Sequence, residues 1–154
     1  MDDRLFRNAM GKFATGVTVI TTKVEEAVHG MTANAFMSVS LNPKLVLISI
    51  GHKAKMLEKI MAANKFVVNI LSSDQKELSM HFAGQIKDEI SVDFVTINDM
   101  PALKGSLANI VCNVKSTYIE GDHTLFIGEV TDLLLNDGEP LTYFEGNYGK
   151  MIKS

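Results

Sequence analysis

Apolar and polar positions follow two periods along the chain, and each change of period marks an element. Leu5, Phe6, Ala9, Met10 and Phe13 recur at helical spacing, with Asp2 or Asp3 able to cap, so residues 2–13 are expected to be a helix. Gly16 breaks that pattern, and Val17-Thr18-Val19-Ile20-Thr21-Thr22 is β-branched throughout, which favours a strand. After a polar turn over 23–27 the chain returns through Val28-His29-Gly30, predicting a hairpin with Gly30 as a bulge or a point of close approach. The run from Gly30 to Ser40 stays extended, small-residued and rich in hydroxyls. Asn42-Pro43-Lys44 reads as a turn, and Leu45–Ile50 as a strand buried on both faces. Gly51 ends it, and Ala54, Leu57, Ile60 and Met61 then form one face of a helix.

Phe66–Leu71 is a further strand pattern. Asp74 with Glu77 three residues later reads as a capping box for a helix that carries Leu78, Phe82 and Ala83 and stops at Gly84. Residues 85–106 read as irregular, with one short apolar run at Phe94–Ile97 and turn signals at Asn98-Asp99 and Pro101. Two long strands over 107–135 meet at Gly121-Asp122, and both carry apolar residues on both faces, which calls for cover by barrel, helix or partner chain. Leu141–Phe144 is a last strand and 146–149 a loop. Seven or eight strands at hairpin spacing, with three short helices, favour an antiparallel barrel over a doubly wound sheet.

Composition narrows the class. At 154 residues the chain is expected to form one domain, 1–154, with a substantial core. No apolar run approaches the roughly 20 residues of a membrane span, and the start, Met1-Asp2-Asp3-Arg4, lacks a secretory n-region, so a cytoplasmic protein without a membrane partner is expected. A net charge of −3 argues against a nucleic-acid partner. The single cysteine, Cys112, alternates with Ile110 and Val114 and reads as a core residue.

The standard catalytic and nucleotide-binding motifs are missing, the four histidines lack metal-ligand spacing, and no acid–base pair stands out. Catalytic side chains and a metal are therefore not expected; reactivity would come from an organic cofactor. The segment Ser49-Ile50-Gly51-His52-Lys53-Ala54-Lys55 combines a strand end, a glycine and a helix start with Lys53 and Lys55 in its first turn. Free amides there suit an anion, while the alternative is a solvated helix face. Gly121-Asp122-His123-Thr124 is either a hairpin tip or the polar lip of a pocket. Phe82-Ala83-Gly84 is either a helix end in the core or a wall against an aromatic ring.

Five pieces occur in a fixed order: Arg7–Thr21, the Thr32–Ser40 stretch, Ser49–Met56, Phe82-Ala83-Gly84 and Gly121-Asp122-His123-Thr124. Together they resemble the flavin reductase-like family of FMN-binding split barrels, above all the small reductase component of two-component phenol or 4-hydroxyphenylacetate monooxygenases. The resemblance implies a homodimer in which NADH, a co-substrate, reduces FAD or FMN for a separate oxygenase component. It implies that Thr32, Ala33, Asn34 and Ala35 line the isoalloxazine edge and that Ser38, Val39 and Ser40 continue the wall. Ser49, Ile50, Gly51, Lys53 and Lys55 would serve the phosphate end, and Phe82, Ala83 and Gly84 would close around the flavin. Gly16, His123 and Tyr148 would lie beside the nicotinamide. Asn42-Pro43-Lys44 stands where relatives often carry a double proline, which touches only a turn. Other readings are a split barrel reducing ferric iron or a quinone, and a flavin- or haem-binding module without turnover.

Overall fold

The computed structural model describes residues 1–154. Helix α1 (Asp3–Gly11) is capped by Asp2, whose Oδ1 accepts the Arg4 amide at 2.9 Å. Strands β1 (Thr15–Gly16), β2 (Thr18–Val24), β3 (Ala27–Ala33), β4 (Phe36–Leu41) and β5 (Lys44–Gly51) follow. Helix α2 (Met56–Ala63) leads to β6 (Lys65–Ile70), a 3₁₀ turn at Ser73–Gln75 and helix α3 (Lys76–Phe82). The second half holds β7 (Phe94–Ile97), β8 (Met100–Leu103), the long β9 (Ala108–Glu120) and β10 (His123–Leu135), β11 (Leu141–Phe144) and β12 (Asn147–Lys150).

Seven strands form one antiparallel sheet in the order β3-β2-β6-β9-β10-β5-β4. Its two edge strands, β3 and β4, are consecutive in the chain and joined only by Asn34 and Ala35. The sheet curls until these edges draw near each other without pairing, so the barrel is split, as the resemblance implies. The concave side closes on Ile20, Ile48, Ile50, Phe66, Val68 and Phe126, with Met56 and Ile60 of α2 as a plug. Gly128 of β10 lets Phe66 and Cys112 lie against its backbone: a Cβ there would stand 2.5 Å from the Phe66 ring.

Several expected details change. The extended run from Gly30 to Ser40 is two strands on opposite edges, not one. The capping box belongs to Ser72 and Gln75, not Asp74 and Glu77; Gln75 Oε1 accepts the Ser72 amide at 2.9 Å. Asp74 is exposed and its carboxylate caps nothing. The irregular stretch contains the β7–β8 hairpin, turned at Asn98 and Asp99, both with positive φ. Residues 147–149, expected in a loop, belong to β12, which pairs with β11. The β11 strand also takes β1, making a small three-stranded sheet.

Candidate functional site

Two cavities meet beside the gap between β3 and β4. The smaller, about 170 Å³, is lined by Thr32, Asn34, Ala83 and Tyr148 together with Ser79 and Tyr143. Its wall is tied by two short bonds: Thr32 Oγ1 donates to the Ser79 carbonyl at 2.6 Å, and Ser79 Oγ lies 2.7 Å from Tyr148 Oη. Tyr148 meets Tyr143 edge-on at 5.2 Å and carries the Lys76 ammonium 5.5 Å from its ring centre. The larger cavity, about 510 Å³, runs between β3, α2 and the end of α3 and is lined by Lys55, Phe82, Ala83 and Gly84, among others. Ala83 belongs to both.

Sequence explains why the cavities stand open. Gly30 on β3 has no side chain because the Phe82 ring occupies its place: a Cβ there would be 2.6 Å from Phe82 Cε1. The β2–β3 ladder stays regular at Gly30, so of the two roles expected for it, close approach is the one observed. Gly84 ends α3 at φ +75°, a conformation that L side chains resist.

The remaining expected residues lie elsewhere around the gap. Ser49 N donates to the Ala35 carbonyl at 3.3 Å, which ties the end of β5 to the linker. Ile50 points into the core, so only its backbone is available. Gly51 pairs with His123 across β5 and β10, and a Cβ on Gly51 would be 3.6 Å from His123 Nε2. Lys53 and Lys55 are exposed and precede α2 instead of standing in its first turn; Lys55 occupies the N-cap and gives no side-chain cap. Ser38, Val39 and Ser40 run along the β4 edge, where a bulge leaves Val39 unpaired and exposed. Ala33 is buried at the end of β3. Gly16 pairs with Thr142 of β11, next to Val17 of the smaller cavity. His123 and Gly16 line neither cavity. Asp122 Oδ1 accepts the His123 Nδ1–H at 2.7 Å; that bond first, then the imidazole's charge, holds the Asp122 carboxyl below the usual range.

A flavin is tested by what the chain leaves unbonded. The amides of Asn34 and Ala35 donate to no backbone group, α2 begins without a side-chain cap, and His81 Nδ1 is buried without a partner at the larger cavity. Donors for a flat heterocycle's edge and an anion-ready helix start therefore lie around one opening, and the residues fit. Sequence reasoning passed over Ser79, Tyr143, His29, Lys59 and His81. Ser79 carried a signal, a small hydroxyl on the inward face of a short helix; the others gain meaning only once α2 and α3 are packed.

Residues 10–151 match the model of the flavin reductase like domain. The chain belongs to the flavin reductase-like family. It is 46% identical over 145 residues to an NADH-dependent flavin reductase of a Rhodococcus species, covering 92% of this chain and 82% of the relative. It is 37% identical to the reductase component of 4-hydroxyphenylacetate 3-monooxygenase from Thermus thermophilus, covering 96% of this chain and 95% of that one. Among solved structures, the flavin reductase PheA2 in its native state superposes with a TM-score of 0.98 at 63% identity, covering 99% of this chain and all of that one. As in the family fold, strands dominate, the sheets are antiparallel and the main sheet is not closed.

Proposed function

We infer that this protein is an NADH-dependent flavin reductase that hands reduced flavin to a separate oxygenase component. The flavin supplies the chemistry when bound, accepting a hydride from NADH at its central ring. The chain's own residues bind and orient. The amides of Asn34 and Ala35 would donate to the flavin's polar edge, favouring the form that carries more negative charge. Thr32 is pinned by the Ser79 carbonyl and Tyr148 by Ser79 Oγ, so that wall is fixed before a ligand arrives. Lys53, Lys55 and the uncapped start of α2 would meet the phosphate. His123 would orient the nicotinamide, held by Asp122 with Nε2 turned toward Gly51. No side chain need move a proton, because positioning two rings at about 3–3.5 Å carries most of such a rate.

The observation that carries this reading is the pair of unpartnered amides at Asn34 and Ala35, set beside two cavities that share Ala83. Mixing the purified protein with FAD or FMN and NADH without oxygen should bleach the flavin. A protein that binds flavin but leaves NADH unoxidised would be a storage or sensing module instead.

The same reading includes a homodimer. Helix α1 buries none of its residues: its apolar Leu5, Phe6 and Met10 are exposed, as is Phe13 just beyond it. Tyr118, Ile119 and Leu133–Leu135 at the ends of the long strands are exposed too. A second copy of the chain would cover these surfaces.

A further inference from the structure

Between β5 and α2 the chain runs through Gly51-His52-Lys53-Ala54-Lys55, and the backbone amides there alternate. Those of His52 and Ala54 are bonded, to the Asp122 carbonyl at 2.9 Å and the Gly51 carbonyl at 3.0 Å. Those of Lys53 and Lys55 donate to no backbone group. A short connector with a glycine and two exposed lysines keeps one shape only if something outside it holds that shape, because ordering it costs entropy. The turn between β9 and β10 provides the hold. Besides the Asp122 carbonyl, Thr124 Oγ1 lies 3.0 Å from His52 Nε2, and Gly51 pairs with His123. Thr124 is buried, so its hydroxyl has little water to turn to, and a hydroxyl meets an imidazole nitrogen in either tautomer. Neither His52 nor Thr124 lines either cavity beside the gap between β3 and β4. Their bond acts on a ligand through the connector.

We propose that His52 and Thr124 are positioning residues that set the preference for phosphorylated over unphosphorylated flavins, by holding the connector in the shape that receives the phosphate. The proposal rests on the flavin reading above, in which Lys53, Lys55 and the start of α2 meet that phosphate. Without the His52–Thr124 bond the connector spends part of its time in other shapes, and its apparent affinity for phosphate falls by the fraction lost. Riboflavin has the same ring system and no phosphate, so its binding does not draw on the connector.

Fluorescence-quenching titration of the full chain with FMN and riboflavin tests it, comparing wild type with His52→Ala, Thr124→Val and the double variant. Either single change should lower FMN affinity about fivefold, the worth of one net hydrogen bond, and leave riboflavin within about twofold. The double variant should lose no more than either single one, because both remove the same bond. Thr124→Ser, which keeps the hydroxyl, should restore FMN binding. His52 is exposed, so His52→Ala reads the bond even where Thr124→Val disturbs the strand. Equal losses for both flavins, no loss, or losses that multiply in the double variant would overturn the proposal. Wild type that binds riboflavin as tightly as FMN would sink the phosphate reading, and the proposal with it, before any variant is compared.

Discussion

His123 stands half exposed at the start of β10, its Nδ1–H bonded to Asp122 and its other nitrogen near Gly51. It lines neither cavity, so His123→Ala should raise the KM for NADH several-fold while flavin affinity, followed by fluorescence quenching, stays within twofold. Loss of flavin binding would move His123 to the other ligand. Cys112 is its opposite in character. Burial pushes its thiol up to about 12, because the thiolate has no compensating charge in the core. The native protein should leave a thiol reagent unconsumed at neutral pH and react once unfolded. The raised value also sets a sign: stability is full below the ordinary thiol range and falls as pH climbs through it toward about 12, since the unfolded chain ionises first.

Among the elements, β6 carries the most consequential polar side chain. Asn69 is fully buried; its Nδ2 donates to the Val19 carbonyl and Thr21 Oγ1, and its Oδ1 accepts from the Leu103 amide and Asn109 Nδ2. It thereby locks the β7–β8 hairpin onto the barrel. Asn69→Leu should cost about 3 kcal/mol or more in urea unfolding, because it strands several buried partners at once. Gly128→Ala should cost about 1–3 kcal/mol by driving Phe66 and Cys112 aside. The strands themselves were legible, since β-branched content marks Val17–Thr22 and a short continuous apolar run bounded by turn signals marks Leu45–Ile50. Asn69 was not, because an asparagine inside a strand pattern looks the same whether it meets water or four buried partners. Nor was the break at Asn34, which a run of small extended residues conceals; only pairing reveals that its halves lie on opposite edges. The capping box fell two residues before Asp74 for a related reason. Two overlapping capping patterns were present, and tertiary packing against Ser106 and the Lys104 carbonyl selected Gln75.

On the scale of the whole molecule, the unspent apolar surface is the chief fact. α1 is fastened to the β11–β12 turn by the Lys12–Glu145 ion pair at 2.7 Å and by the Glu145 amide on the Gly11 carbonyl, while its apolar face stays open. Phe6→Glu with Met10→Glu should convert a dimer to a monomer in sedimentation, with little change in the monomer's circular dichroism. The helix was legible from its spacing, but what its face covers was not, because one chain's sequence does not say which surface would meet it. The same holds for Lys59 and His81, which come to line one cavity because α2 and α3 both pack against β3, and by no local pattern.

The gap between β3 and β4 has a consequence for the integrity of the chain. Every ladder of the main sheet runs between strands other than that pair, and each edge strand is held only by its inner neighbour. A protease that nicked the protein between Asn34 and Ala35 would sever no ladder. The piece ending at Asn34 would stay attached through β2 and β6, while the piece beginning at Ala35 would keep β4 on β5. The fold would outlive the cut, and the two unpartnered amides of Asn34 and Ala35 would part company.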